Sequence, residues 1–207
     1  MALVKIKVCG ITNVEDAMAA IDMGADLLGF NFYRESPRYL DAADALDIIN
    51  KIPTFVDTAG VFVNPSMEEL REIVELGFLN WVQLHGDEDP DFCDSLRYMN
   101  CRTIKAIRVK SQEDIKRAKD YYTDAVLFDA YHPNYYGGTG ETFDWRLIDD
   151  LNRRVFLAGG LDPDNAEDAV SVGVYGIDVC SGIESSPGKK DLNEMKRFFD
   201  NIRHLVN

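Results

Sequence analysis

A chain of 207 residues that is 46% apolar can bury one large core, so composition argues against disorder. Its net charge of −14 repels nucleic acid and anionic membrane, and neither is an expected partner. No apolar stretch reaches membrane-spanning length, and the chain enters a strand-like run at Leu3–Val8 with no signal peptide before it.

The spacing predicts a first strand over Val4–Cys9. Asn13 then has the chemistry of an N-cap for a helix over Val14–Met23, with Gly24 as its stop. The second strand is expected at Leu27–Phe32 and the third at Phe55–Val63. Ser66 and Glu69 form the Ser-x-x-Glu of a capping box before a helix over Glu68–Leu76, which Gly77 ends. Strands four to six fall at Trp81–His85, Thr103–Val109 and Ala125–Asp129, with a helix opened by Ser111 and running to about Tyr122. Strands seven and eight fall at Val155–Ala158 and Gly176–Cys180, and Asp191 opens a last helix. Alternation of this kind implies βαβ units and a parallel sheet. Eight units with no remainder favour one α/β domain over residues 1–207, a (β/α)8 TIM barrel. Periodicity alone leaves open a doubly wound sheet.

In such a barrel, chemistry collects where strands end. Gly159-Gly160 after the seventh strand and Ser181-Gly182 after the eighth can bring backbone N–H groups to a phosphate, or can be ordinary turns. Cys9 ends the first strand and Asp129 the sixth, so a thiol and a carboxylate would face each other across the mouth. One could take a proton while the other gives one, as an aldose–ketose isomerisation requires. Read singly, Cys9 could be a buried hydrophobe and Asp129 a turn former. Arg38 follows the second strand with a fork suited to a carboxylate or phosphate. His85 and Asp178 also stand at strand ends, and Gly137-Gly138-Thr139-Gly140 could be a lid or an anion nest. Cys9, Cys93, Cys101 and Cys180 form neither a CxxC pair nor a metal-ligand spacing. Free thiols in a reducing cytoplasm, without a metal, are the expectation.

These residues, in order, resemble the phosphoribosylanthranilate isomerase family of tryptophan biosynthesis almost end to end. The resemblance is carried by Lys7-Val8-Cys9-Gly10, Ser36-Pro37-Arg38-Tyr39, Val82-Gln83-Leu84-His85-Gly86, Ala158-Gly159-Gly160-Leu161 and Ser181-Gly182-Ile183-Glu184. It implies an Amadori rearrangement of N-(5-phosphoribosyl)anthranilate by acid–base catalysis. Asp129 would be the acid, Cys9 the base and Arg38 the holder of the anthranilate carboxylate, with His85 and Asp178 in the substrate site. Gly159, Gly160, Ser181 and Gly182 would bind the phosphate of this small-molecule substrate. The resemblance implies no metal and no organic cofactor, and a monomer or a homodimer. The chain departs from the family pattern at Cys180, where Ser is expected, and at Asn31, where an apolar residue is expected. A related barrel isomerase of histidine biosynthesis would use two aspartates, which Cys9 disfavours. A non-catalytic phosphate-binding barrel is the rival from another class.

Overall fold

Parallel strands need crossover connections, and a sheet of such units can close only if the last strand pairs with the first. The computed structural model describes residues 4–133, 136–138, 140–148 and 152–206. Leu3 and Thr139 of the expectations above lie outside the described residues. Eight strands close a parallel barrel in chain order: β1 (Lys5–Cys9), β2 (Leu27–Asn31), β3 (Asp57–Phe62), β4 (Trp81–Leu84), β5 (Arg102–Val109), β6 (Ala125–Ala130), β7 (Arg154–Leu157) and β8 (Gly176–Val179). β8 returns to β1 with Val179 opposite Val8, which excludes the open doubly wound sheet.

The outer layer is made of α1 (Val14–Met23), α2 (Ala42–Ile49), α3 (Met67–Val74), α4 (Pro90–Ser95), α5 (Gln112–Arg117), α6 (Ala166–Ser171) and α7 (Leu192–Val206). Between β6 and β7 the described residues hold one 3-10 turn, Trp145–Leu147, in place of an α-helix. A hairpin of β9 (Glu184–Ser186) and β10 (Lys189–Lys190) follows β8, and no sequence signal had named it.

The caps form as their residue types dictate. Asn13 accepts the Asp16 N–H at 2.8 Å, and Gly24 ends α1 in the left-handed region with φ 117°. Both arms of the Ser66–Glu69 box are made, at 2.7 and 3.2 Å. Asp191 accepts from Asn193 and Glu194 at the start of α7. Two boundaries differ from expectation. Phe55 is exposed and the third strand starts at Asp57, because Phe55 lies before the level at which Leu27 pairs Asp57. The helix after Ser111 ends at Arg117 and tightens to a 3-10 turn over Ala118–Asp120.

Side chains on each strand alternate between the helices and the barrel interior. Leu27, Ala59, Trp81, Ile104, Ala106, Ala125, Leu127, Phe156 and Ala158 form a separate buried cluster inside the barrel. Ile6, Val8, Val82, Leu84, Val126, Phe128, Ile177 and Val179 belong to the larger core under the helices. By the same alternation Lys7, Cys9, Gln83, His85, Asp129 and Asp178 point inward above the apolar cluster. That interior layer is polar, and it floors the site.

Candidate active site

The strand ends open into a cavity of about 890 Å³, counted to its open mouth. Cys9, Arg38, His85, Asp129, Gly159, Gly160, Asp178 and Ser181 all line it, as expected from their places at strand ends. Gly182 does not line it. A side chain there would collide with the Leu161 carbonyl, so this glycine lets the loop after β8 pack against the loop after β7.

One wall is built from β1 and β8. Lys7 is fully buried, and its Nζ lies 2.8 Å from Asp178 Oδ2. Burial works against the Lys7 charge, but Asp178 and Cys9 outweigh it and raise the ammonium above its usual range. Burial raises the Asp178 carboxyl to about 7 against the pull of Lys7. Lys7 is thereby held in its charged form, shared by Asp178 and Cys9. Asp178 Oδ1 is buried with no partner, an acceptor left for a ligand.

Lys190, from β10, donates to the Cys9 carbonyl at 2.6 Å and the Cys180 carbonyl at 3.2 Å, and pairs with Glu184 at 2.9 Å. It thereby ties the ends of β1 and β8 together beneath the hairpin. Cys9 is held well below the usual thiol range, first by the Cys180 thiol and then by the charges of Lys7 and Lys190, against burial. Cys180 is pushed up, first by donating to Cys9 and then by burial. Glu184 Oε1 stands 3.9 Å from the same Cys180 sulfur, a longer and weaker alternative acceptor.

Arg38 sits on the rim. Its Nε and Nη2 grip Glu184 at 2.7 to 3.1 Å, leaving Nη1 for a ligand. Burial opposes the charge of Glu184, yet Arg38 and Lys190 hold its carboxyl below the usual range. Asn31 lines the cavity and accepts the Tyr33 N–H at 2.9 Å, so it shapes the turn that presents Arg38.

The opposite wall is built from β4 and β6. Asp129 Oδ2 lies 3.0 Å from His85 Nε2, and Oδ1 accepts the Ala130 N–H at 2.8 Å. Gln83 contacts the far side of the imidazole, at 2.8 Å from Nδ1. Gly137 covers this pair with φ 87°, and a Cβ there would stand 2.6 Å from Asp129 Oδ2. Gly138 lies against Arg38 Nη1, so this stretch closes over both acid and rim arginine. Behind the wall, Lys105 and Glu88 form a buried pair at 2.6 Å. Glu88 also accepts the Gly86 N–H, which braces the backbone just after His85.

Sequence reasoning found the lining but missed Gln83, Glu184 and Lys190 as working residues. All three lie within stretches that carried the resemblance or flank them. Inward alternation two residues before His85 was the available signal for Gln83. The hairpin that brings Glu184 and Lys190 back had no comparable signal.

Residues 6–201 match the family model described as N-(5'-phosphoribosyl)anthranilate (PRA) isomerase. A similar relative is the N-(5'-phosphoribosyl)anthranilate isomerase of Trichlorobacter lovleyi, 44% identical over 99% of this chain and 100% of that protein. The crystal structure of phosphoribosyl anthranilate isomerase from Thermotoga maritima superposes with a TM-score of 0.90 at 40% identity, covering 98% of this chain and 100% of the other. A phosphoribosyl anthranilate isomerase in complex with reduced 1-(o-carboxyphenylamino)-1-deoxyribulose 5-phosphate gives 0.86 at 38% identity, covering 98% and 100%.

Proposed function

The chain belongs to the phosphoribosylanthranilate isomerase family, and from that premise we propose that its barrel mouth carries out the isomerisation of N-(5-phosphoribosyl)anthranilate in tryptophan biosynthesis. The observation that carries this reading is the placement of Cys9 and Asp129 on two walls of one cavity. Asp129 gives a proton to the ribose ring oxygen, the C1′–O bond breaks, and the furanose opens to a Schiff base. The Cys9 thiolate takes the C2′ proton, and the electron pair moves to give an enolamine. Tautomerisation yields the aminodeoxyribulose phosphate. One proton is given and one taken, so no oxidant or reductant enters.

The cations around Cys9 support its role, since only a thiolate can act as the base. Nη1 of Arg38 is the donor for the anthranilate carboxylate. Gly159, Gly160 and Ser181 line the cavity at adjacent strand ends and suit the phosphate, with Gly182 shaping the loop from behind. The free Oδ1 of Asp178 suits a sugar hydroxyl. The whole chain would serve as one isomerase domain in the cytoplasm, as a monomer or homodimer. Among the described residues no helix is long and apolar enough to cross a membrane. One solved relative, from Thermotoga maritima, is a monomer made from a dimeric enzyme.

The test is the loss of phosphoribosylanthranilate fluorescence with purified protein. Turnover is expected in the wild type. Asp129→Asn should lower kcat on the order of 10²–10⁴-fold with little change in KM. Undiminished turnover in that variant would remove Asp129 from the mechanism.

A further inference from the structure

An acid must carry a proton before it can give one, and the contacts of Asp129 make this a question about its neighbours. Asp129 Oδ1 accepts from the Ala130 N–H, which favours a carboxylate. Oδ2 meets His85 Nε2 at 3.0 Å, so one proton placed between them decides which form Asp129 takes. If Nε2 carries the imidazole hydrogen, Asp129 is an acceptor on both oxygens and has nothing to give. If Nδ1 carries it, Nε2 can share a second proton with Asp129 Oδ2, and the pair is loaded with the proton that Asp129 passes on.

The tautomer is set from the other side of the ring. The Gln83 side-chain amide lies 2.8 Å from Nδ1, and Gln83 is 1% exposed. With its nitrogen toward the ring, Gln83 Oε1 is buried with no partner. A half-turn of the amide exchanges nitrogen and oxygen within the same volume. It puts Oε1 against Nδ1 and leaves the nitrogen in the unpartnered position. Each orientation therefore leaves one amide atom without a partner, and the amide's own hydrogen bonds do not choose between them. The proton on the His85–Asp129 pair does. Only the orientation with Oε1 toward Nδ1 is compatible with a proton-loaded pair.

We propose that Gln83 is a positioning residue for the isomerisation, holding a hydrogen on His85 Nδ1 so that the His85–Asp129 pair carries the proton that is donated at Asp129. The inference rests on Asp129 being the acid. Other titratable or charged groups face the same space. Cys9, Arg38, Tyr136 and Asp178 line the cavity, Lys7 stands behind Asp178, and Arg108 on β5 lies beside Asp129 in the sheet. Arg108 is the register neighbour of Asp129 but is turned to Asp87 and the Tyr136 ring. None of these touches Nδ1, so a change confined to Gln83 isolates its effect.

The chain has 3 histidines, His85, His132 and His204, so nitrogen-15 spectra of the imidazoles can be assigned by single substitutions. Nδ1–H at His85 is expected in the wild type; an Nε2–H tautomer there overturns the proposal without any variant. Gln83→Leu removes the acceptor and should move the basic limb of the kcat–pH profile down by about one pH unit. The acid limb, set by Cys9, should stay. Gln83→Glu keeps an acceptor oxygen and should return the basic limb to the wild-type position or above it. A merely structural role would lower kcat equally at all pH values, and that outcome sinks the idea. Asp129→Asn separates the two readings. Full turnover in it rejects the acid assignment and this inference together. A dead Asp129→Asn with an unmoved basic limb in Gln83→Leu rejects the inference alone.

Discussion

The two walls of the cavity solve opposite problems with opposite materials. The β1–β8 wall sets Cys9 near two cations, Lys7 below and Lys190 at the strand ends, with the Cys180 thiol as a donor beside it. The β4–β6 wall gives Asp129 an imidazole, an amide N–H and a glycine cover, while its cationic register neighbour Arg108 is held by Asp87. A base that must start as an anion is placed among positive charges. An acid that must start protonated is kept from them. The lesson is that a narrow cavity can set one reactive group among cations and another apart from them when the nearby charges have partners of their own.

Breaking the cationic wall should have the largest effect. Lys7→Met leaves Asp178 buried without its partner, and such a loss costs about 3–5 kcal/mol. Urea unfolding should show it. The penalty has a defined pH dependence. Without the pull of Lys7, burial holds the Asp178 carboxyl above the value of about 7 it has in the wild type, so the loss of stability relative to wild type grows as pH rises past about 7. In acid the carboxyl is neutral and the penalty shrinks. An equal loss at pH 5 and pH 8 would show that packing, and not charge, is at stake.

The thiolate sharpens the contrast within one residue type. Burial pushes Cys93 up to about 12 and Cys101 to about 11, while Cys9 lies well below the usual range. In a Cys180→Ser background at neutral pH, iodoacetamide should label Cys9 on the order of a hundredfold faster than either of the others. Inactivation should track that label and slow when a product analogue is bound. Mass spectrometry that found Cys93 or Cys101 modified first would remove the distinction between the walls.

The rim tests the cavity's third charge. Arg38→Met keeps the apolar stem and deletes the fork. Charged hydrogen bonds are worth about 1.5–3 kcal/mol, so carboxylate-bearing analogues should bind roughly ten- to hundredfold more weakly. Inorganic phosphate should bind as before. Equal losses for the two ligands, read by calorimetry, would move Arg38 to the phosphate. The smallest effect is expected where neither wall is touched. Ser66→Ala breaks the capping box of α3 and should cost about 1 kcal/mol in urea unfolding, with kcat unchanged. A fall in kcat there would mean that the barrel transmits strain from its outer helices to the mouth.

Local chemistry made much of this legible before any coordinates. Asn13, Ser66, Gly24 and Asp191 mark helix ends because capping depends on residues only a few positions apart. The eight strands and the polar residues at their ends follow from a two-residue period and from the alternation of strand with helix. Those features placed Cys9, Arg38, His85, Asp129 and Asp178 at one end of the sheet. Their resemblance to a known family then gave them expected roles. What tertiary structure alone decided is which groups meet across long separations in sequence. Closure brings Lys7 to Asp178 across 171 positions, and the hairpin returns Lys190 to the Cys9 carbonyl across 181. It also packed Gly182 against the loop after β7 and gave Glu184 to Arg38. Charge and hydrogen bonding act through space over a few ångströms, whereas capping and periodicity act along the chain. The sequence therefore determined the elements and the inventory of reactive groups, and closure of the barrel determined which charges and hydrogen-bond partners each group acquires.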